Sequence, residues 1–479
     1  MIPLLLLACS SPAPRDFPED FVWGAAVAGF QVDMGCPTLA PEDCEDRASD
    51  WYQWVTEPSL QGEASLHLSG DPVSDGPGMW ELFEEDAARL GADGLGSLRL
   101  SVEWSRLFPD GAAERAATVE ELDAFVDRAA AQRYHQMFAA LSAAGVAPMV
   151  TLNHYTLPLW VHDGLACHRD LGCEASGWLD GPRIERLMAL YAGWVAREYG
   201  GEVDRWATLN EPLVIPLAGY LQPGEMRSNP PGVSMEVEAA IASICHQVEA
   251  SARMYDAVHA EDRWDADGDG QNAAVGVVMN MIALAPQEED DPADALGVAH
   301  CDFVYHRVFL DGLTAGAWDD DLDGTFDRER ADLAGRLDWI GINYYNRVTV
   351  AGLPIALIPE LPVMDFYPEF SWEPYPEGLG EVVERTASYG LPLWITENGT
   401  PLVEEQGSEL LLAHLRALAE ADAQVEGYHW WSYVDNYEWN HGMGMRFGLY
   451  ALDPVTKARV ERPVMTTYRD IAATGALPE

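Results

Sequence analysis

Eight apolar, β-rich runs recur along the chain, with amphipathic stretches between them. They cover Phe21–Ala28, Ser97–Trp104, Ala147–His154, Val203–Leu209, Ala273–Asn280, Leu337–Tyr344, Leu391–Thr396 and Val425–Val434. Short, nearly unbroken apolar runs of this kind suit strands buried on both faces. The stretches Trp80–Leu90, Ile184–Tyr199 and Met235–His259 carry the helical period instead. Eight buried strands alternating with helices predict an α/β fold of the (β/α)8 barrel type rather than an open doubly wound sheet. No glycine-rich phosphate loop follows the first run, which argues against a nucleotide-binding fold. Cys36–Asp75 and Gly352–Pro376, rich in proline and aromatics, read as long loops over the barrel mouth, and no Pro/Ser/Gly linker divides the chain. The expected organisation is one barrel domain over residues 16–479 behind a leader over residues 1–15.

Two of these runs end in a glutamate. Thr208-Leu209-Asn210-Glu211-Pro212 and Ile395-Thr396-Glu397-Asn398-Gly399 each put a carboxylate where an apolar run gives way to a Pro- or Gly-marked loop. In a parallel barrel the carboxyl ends of the strands form the mouth where active sites sit. Either triplet alone is common in surface loops as a solvated or capping carboxylate. Together they place two carboxyls where both can face one pocket, the equipment for hydrolysing a glycoside.

Composition narrows the partners. The chain has 28 basic against 79 acidic residues, a net charge of −51, and Lys457 is its only lysine. Such a surface repels nucleic acid and anionic membranes, so neither is expected as a direct partner of the folded domain. With 17 Trp and 18 Tyr, rings are plentiful for stacking on the apolar face of a small ligand. The segment Met1-Ile2-Pro3-Leu4-Leu5-Leu6-Leu7-Ala8-Cys9-Ser10 looks like an export leader ending at a lipoprotein-type cleavage site, with Cys9 lipidated. A lipid on Cys9 would be the sole membrane attachment, since no later stretch reaches the roughly 18 apolar residues of a spanning helix. Setting Cys9 aside leaves Cys36, Cys44, Cys167, Cys173, Cys245 and Cys301. The first four lie in two close pairs within loop-like segments, and each pair is able to close a small disulfide ring, although six cysteines allow about 15 pairings. No Cys/His spacing matches a zinc site.

Two acidic loops stand apart, Asp265-Ala266-Asp267-Gly268-Asp269-Gly270 and the stretch from Asp319 through Asp321 and Asp323 to Asp327. Their alternating aspartates match the first half of an EF-hand loop, but position twelve falls on Gly276 and Arg330 instead of a bidentate Glu. In so acidic a chain a solvated Asp/Gly turn is the favoured reading. No cofactor is expected, and calcium at Asp319, Asp321 and Asp323 is disfavoured.

Further motifs turn the two glutamates into a pattern. They are Phe21-Val22-Trp23-Gly24, Gln31-Val32-Asp33, Arg99-Leu100-Ser101-Val102-Glu103-Trp104, Leu152-Asn153-His154-Tyr155 and Gly341-Ile342-Asn343-Tyr344-Tyr345. Trp431-Ser432, Asp435-Asn436-Tyr437-Glu438-Trp439 and Met445-Arg446-Phe447-Gly448 complete the set. From about Phe21 to Tyr450 the chain resembles the family 1 glycoside hydrolases, in particular their archaeal-type β-glycosidase branch. The resemblance implies a retaining, exo-acting β-glycosidase of β-glucosidase or β-galactosidase type that works on small β-glycosides or oligosaccharides through a covalent glycosyl-enzyme. A transglycosylase of the same family, or a non-catalytic carbohydrate-binding relative, is the alternative.

Carried over by position, the resemblance makes Glu397 the nucleophile and Glu211 the acid/base, with Arg99 and Tyr345 hydrogen-bonded to the nucleophile. Gln31, His154, Asn210, Asn343, Trp431, Glu438 and Trp439 become the sugar-binding set, Asn210 at the 2-hydroxyl and Trp431 beneath the ring. In such a pair the charge of one carboxylate disfavours ionisation of the other, so that one residue can give a proton and later accept one. Phosphorylated substrates are not expected, because the resembled 6-phospho-glycosidases carry serine at position 438 and a phosphate-binding lysine nearby. Asp33, Asn153 and Tyr155 replace the family's usual Glu, Tyr and Trp, which leaves the glucose, galactose or fucose preference open.

Overall fold

All eight runs become barrel strands. In the computed structural model, which describes residues 16–352, 366–370, 372 and 374–478 (backbone only for 366–370), they are β1 (Val22–Ala26), β2 (Ser97–Ser101), β3 (Ala147–Asn153) and β4 (Arg205–Asn210), then β5 (Ala274–Asn280), β6 (Trp339–Tyr344), β7 (Leu393–Asn398) and β8 (Gly427–Trp431). Every pairing is parallel, in the order β1-β8-β7-β6-β5-β4-β3-β2, and β1 closes the ring against β2. Each strand is sheathed outside by helix and filled inside by apolar side chains, so it shows apolar residues on both faces. Met149, Ala207, Val278, Trp339 and Trp394, from five neighbouring strands β3 to β7, form one buried cluster, an arrangement that only the barrel interior allows.

The principal helices are α1 (Met79–Ala92), α2 (Arg128–Ala144), α3 (Gly181–Tyr199), α4 (Val237–Glu261), α5 (Val308–Ala315), α6 (Glu377–Ala387), α7 (Val403–Glu420) and α8 (Pro463–Thr474). Local signals set their ends. The Asp127 carboxylate takes the free N–H groups of Ala129 and Ala130 at the start of α2, and Gly145, at φ 73°, ends it in the left-handed region.

The two segments read as loops carry more order than that. Cys36–Asp75 contains helices Pro41–Cys44 and Asp50–Thr56, whose Trp51 and Trp54 are buried, because aromatic side chains anchor the excursion to the core. Within Gly352–Pro376 the strand Phe366–Phe370 pairs antiparallel with Arg347–Gly352, which in turn pairs parallel with Ala283–Pro286. Residues 353–365, 371 and 373, and the leader with Cys9, lie outside the described residues. Cys36–Cys44 and Cys167–Cys173 are disulfides, while Cys245 and Cys301 are free. Among the described residues no helix is long and apolar enough to cross a membrane.

Candidate active site

Both glutamates sit where a strand departs from regular pairing. The β4–β5 ladder shifts register between Ala207 and Asn210, and the β7–β6 ladder between Ile395 and Glu397. A bulge at such a point re-aims the side chains that follow it. Glu211, the first residue beyond β4, is held at φ 43°, and Tyr155 and Trp439 also have positive φ, 70° and 48°. Three non-glycine residues in the left-handed region around one cavity are strained backbone held by its surroundings, as happens at functional sites. Close packing behind β7 demands Gly399, since a Cβ there would lie 2.2 Å from the Trp431 carbonyl oxygen.

The two carboxylates open into the same cavity of about 360 Å3 at the barrel mouth, lined also by His154, Tyr155, Asn210, Trp431, Glu438 and Trp439. Glu397 Oε1 is ion-paired with Arg99 Nη1, and its Oε2 accepts from the Tyr345 hydroxyl at 2.7 Å. Arg99 is fixed in turn by Thr151 Oγ1 at 3.0 Å and by Asn210 Oδ1 at 2.6 Å. Asn343 Nδ2 donates to Asn210 Oδ1 at 3.1 Å and to Glu211 Oε1 at 2.9 Å. One chain of hydrogen bonds therefore ties the two glutamates to each other through buried, fully oriented groups.

Electrostatics separates their surroundings. Burial pushes the Glu397 carboxyl up to about 7 against the opposing pull of Arg99, and the Glu211 charge adds to the rise. Burial and the Glu397 charge keep the Tyr345 phenol protonated, so it stays a donor. Burial, with Arg99 and Arg227 nearby, keeps His154 neutral; its Nε2 faces Asn210 Nδ2 at 3.1 Å.

The sugar-binding set divides in two. His154, Asn210, Trp431, Glu438 and Trp439 line the cavity, and the His154 ring lies nearly parallel to both indoles, at 22° to Trp431 and 19° to Trp439. Gln31 and Asn343 are buried behind that lining. Gln31 Nε2 donates to Glu438 Oε2 at 3.0 Å, and both ends of the Asn343 amide are engaged, Oδ1 by Thr396. Each is bonded to a residue that lines the cavity, Gln31 to Glu438 and Asn343 to Glu211. Asp33 is ion-paired with Arg106 at 3.1 Å, away from the cavity. Lys457 is buried with Nζ donating to the carbonyls of Ser74 and Gly76, at 2.7 and 2.9 Å, and takes no part in the site.

Two residues escaped the sequence reading. Arg227, from the turn after residue 222, donates to Glu438 Oε1 at 3.1 Å and lies 5.7 Å from the centre of the Trp439 ring; no local motif announces it. Tyr155 stood out in sequence only as a departure from the family's tryptophan. Its hydroxyl donates to Glu211 Oε2. Tyr155→Phe should cut kcat/KM for glycosides with poor leaving groups by roughly tenfold, the worth of one hydrogen bond to a charged group. Aryl glycosides with activated leaving groups should respond much less. Equal losses across a leaving-group series would show that Tyr155 does not act through Glu211.

The arrangement has close counterparts. The model of glycosyl hydrolase family 1 matches residues 13–476. A β-galactosidase of Pyrococcus woesei is 32% identical, over 95% of this chain and 97% of its own length. One from Saccharolobus solfataricus is 31% identical, over 97% and 96%. The crystal structure of the β-glycosidase from Thermosphaera aggregans superposes with a TM-score of 0.81 at 29% identity, covering 97% of this chain and 98% of that one.

Proposed function

Because the chain belongs to glycosyl hydrolase family 1 and is a retaining β-glycosidase of that family, we propose that Glu397 is its nucleophile and Glu211 its general acid and base. The reading rests on one observation: the two carboxylates line a single cavity at the ends of β4 and β7, with Arg99 and Tyr345 on Glu397 alone. A Glu397 oxygen attacks the anomeric carbon while Glu211 transfers its proton to the departing glycosidic oxygen. The bond to the aglycone breaks and a glycosyl ester forms. Esterification removes the Glu397 charge, so Glu211 becomes the base that deprotonates water, and hydrolysis of the ester restores the starting configuration. Arg99 through its charge and Tyr345 through its hydroxyl proton favour the ionised nucleophile and the carboxylate released at the end.

The glycone, on this reading, is an unphosphorylated β-glucoside or β-galactoside. Glu438 carries a negative charge into the cavity, its partner Arg227 is already matched to it, and the single lysine is bonded to backbone carbonyls elsewhere. A panel of aryl β-glycosides should show turnover of the gluco and galacto substrates and none of the 6-phospho-gluco compound. Preference for the phosphorylated sugar would overturn this assignment of the subsite.

We also propose export with lipidation at Cys9. The disulfides Cys36–Cys44 and Cys167–Cys173 support it, since such bonds persist in oxidising compartments. Cys9→Ser should release the protein from membrane fractions; membrane association of the variant equal to that of the wild type would refute the anchor.

A further inference from the structure

The opposite end of β4 holds a second concentration of carboxylates. Asp204 immediately precedes the strand, and its backbone carbonyl accepts from Ala274 N at 2.8 Å, at the foot of β5. The loop Asp265–Gly270 lies between α4 and β5 and folds back onto it. One carboxylate oxygen each from Asp204, Asp265 and Asp267 lie within 4.8 Å of one another.

Asp204 distinguishes this cluster from an ordinary acidic turn. It is only 6% exposed, its Oδ2 is buried with no hydrogen-bond donor, and its Oδ1 has a single long contact with Ala266 N at 3.3 Å. Arg205, next in the chain, lies over the Trp394 ring at 4.4 Å and makes no salt bridge to Asp204 among the described residues. A buried carboxylate facing two more carboxylates, without a salt bridge or adequate donors, is unfavourable in any protein and more so in one of net charge −51. The loop supplies aspartates at alternating positions and a glycine at the sixth, with nothing at the twelfth, where Gly276 falls. Asp204, about sixty residues earlier, brings a carboxylate to the loop from outside it.

We infer that Asp204, Asp265 and Asp267 form a binding site for a divalent cation, and that the all-oxygen, multiply charged donor set selects calcium. The ion would fasten the α4–β5 connection to the foot of the strand whose far end carries Glu211, a stabilising role apart from the chemistry. Magnesium, which retains its water and demands a regular octahedron, is the poorer fit to a set drawn from a strand end and an acidic turn.

The test is thermal unfolding of the full chain, stripped with a chelator and titrated with calcium chloride. The wild-type Tm should rise by roughly 2–4 °C and saturate. Asp204→Asn and the double variant Asp265→Asn/Asp267→Asn should each lose that rise, whereas Asp319→Asn, in the other acidic loop, should keep it. Without calcium, Asp204→Asn should unfold no earlier than the wild type, because the substitution removes an unmatched buried charge. Should Asp204→Asn fold poorly, the double variant, altered at exposed positions, carries the test alone. A full calcium response in that double variant, or a rise obtained equally with magnesium, would overturn the proposal.

Discussion

Glu397→Ala should abolish turnover of an aryl β-glucoside, with kcat falling by about four orders of magnitude or more, the scale seen when a covalent nucleophile is lost. The void left by the carboxylate would still be faced by Arg99 and Tyr345, whose partner is gone. Both favour a small anion in its place. Added azide should therefore restore turnover of a substrate with a good leaving group, attacking from the vacated side to give a glycosyl azide of inverted configuration. Arg99 would hold the anion where the carboxylate oxygen had been. Activity surviving the substitution without any added anion would end the assignment of Glu397, and a rescued product of retained configuration would contradict the geometry of attack.

Glu211→Gln has a different signature. For an unactivated glycoside kcat/KM should fall by roughly 10²–10⁴, the usual worth of general acid catalysis. A dinitrophenyl glycoside needs no proton on its leaving group, so its first step should be nearly unaffected and the glycosyl-enzyme should accumulate. The pH profile adds a check with a definite sign. Burial raises the Glu397 carboxyl against the pull of Arg99, so its ionisation sets the acid limb. With an amide at position 211 there is no acid to lose its proton, so the variant's profile for the activated substrate should keep that acid limb and carry no basic one. A bell-shaped profile retained in full by Glu211→Gln would show that Glu211 is not the general acid.

The eight strands were legible because each is buried on two faces and so announces itself as a short apolar run. Their limits were less so. Val425–Val434 contains only a five-residue strand, Gly427–Trp431, since apolar residues continue past the last ladder bond into the packing around the mouth. Leu391–Thr396 ends early, because the bulge carries strand pairing on to Asn398. Glu211 and Glu397 could be found because strand end and loop punctuation coincide in a few consecutive residues. Arg227 on Glu438 and Asp204 beside Asp265 had no such signal. Each pairs segments remote in sequence, and no local periodicity encodes a meeting made only by closure of the barrel. Gln31 and Asn343 show the converse: their motifs placed them at the site, but only packing could decide whether they face the cavity or stand behind it.

The solitary lysine has a practical corollary. Its ammonium group is shielded and bonded to two peptide carbonyls, so amine-directed reagents such as succinimidyl esters find no side-chain target on the native molecule. Labelling at Lys457 would report denaturation itself, and coupling to a solid support is better directed at carboxyl groups, of which the sequence has an abundance.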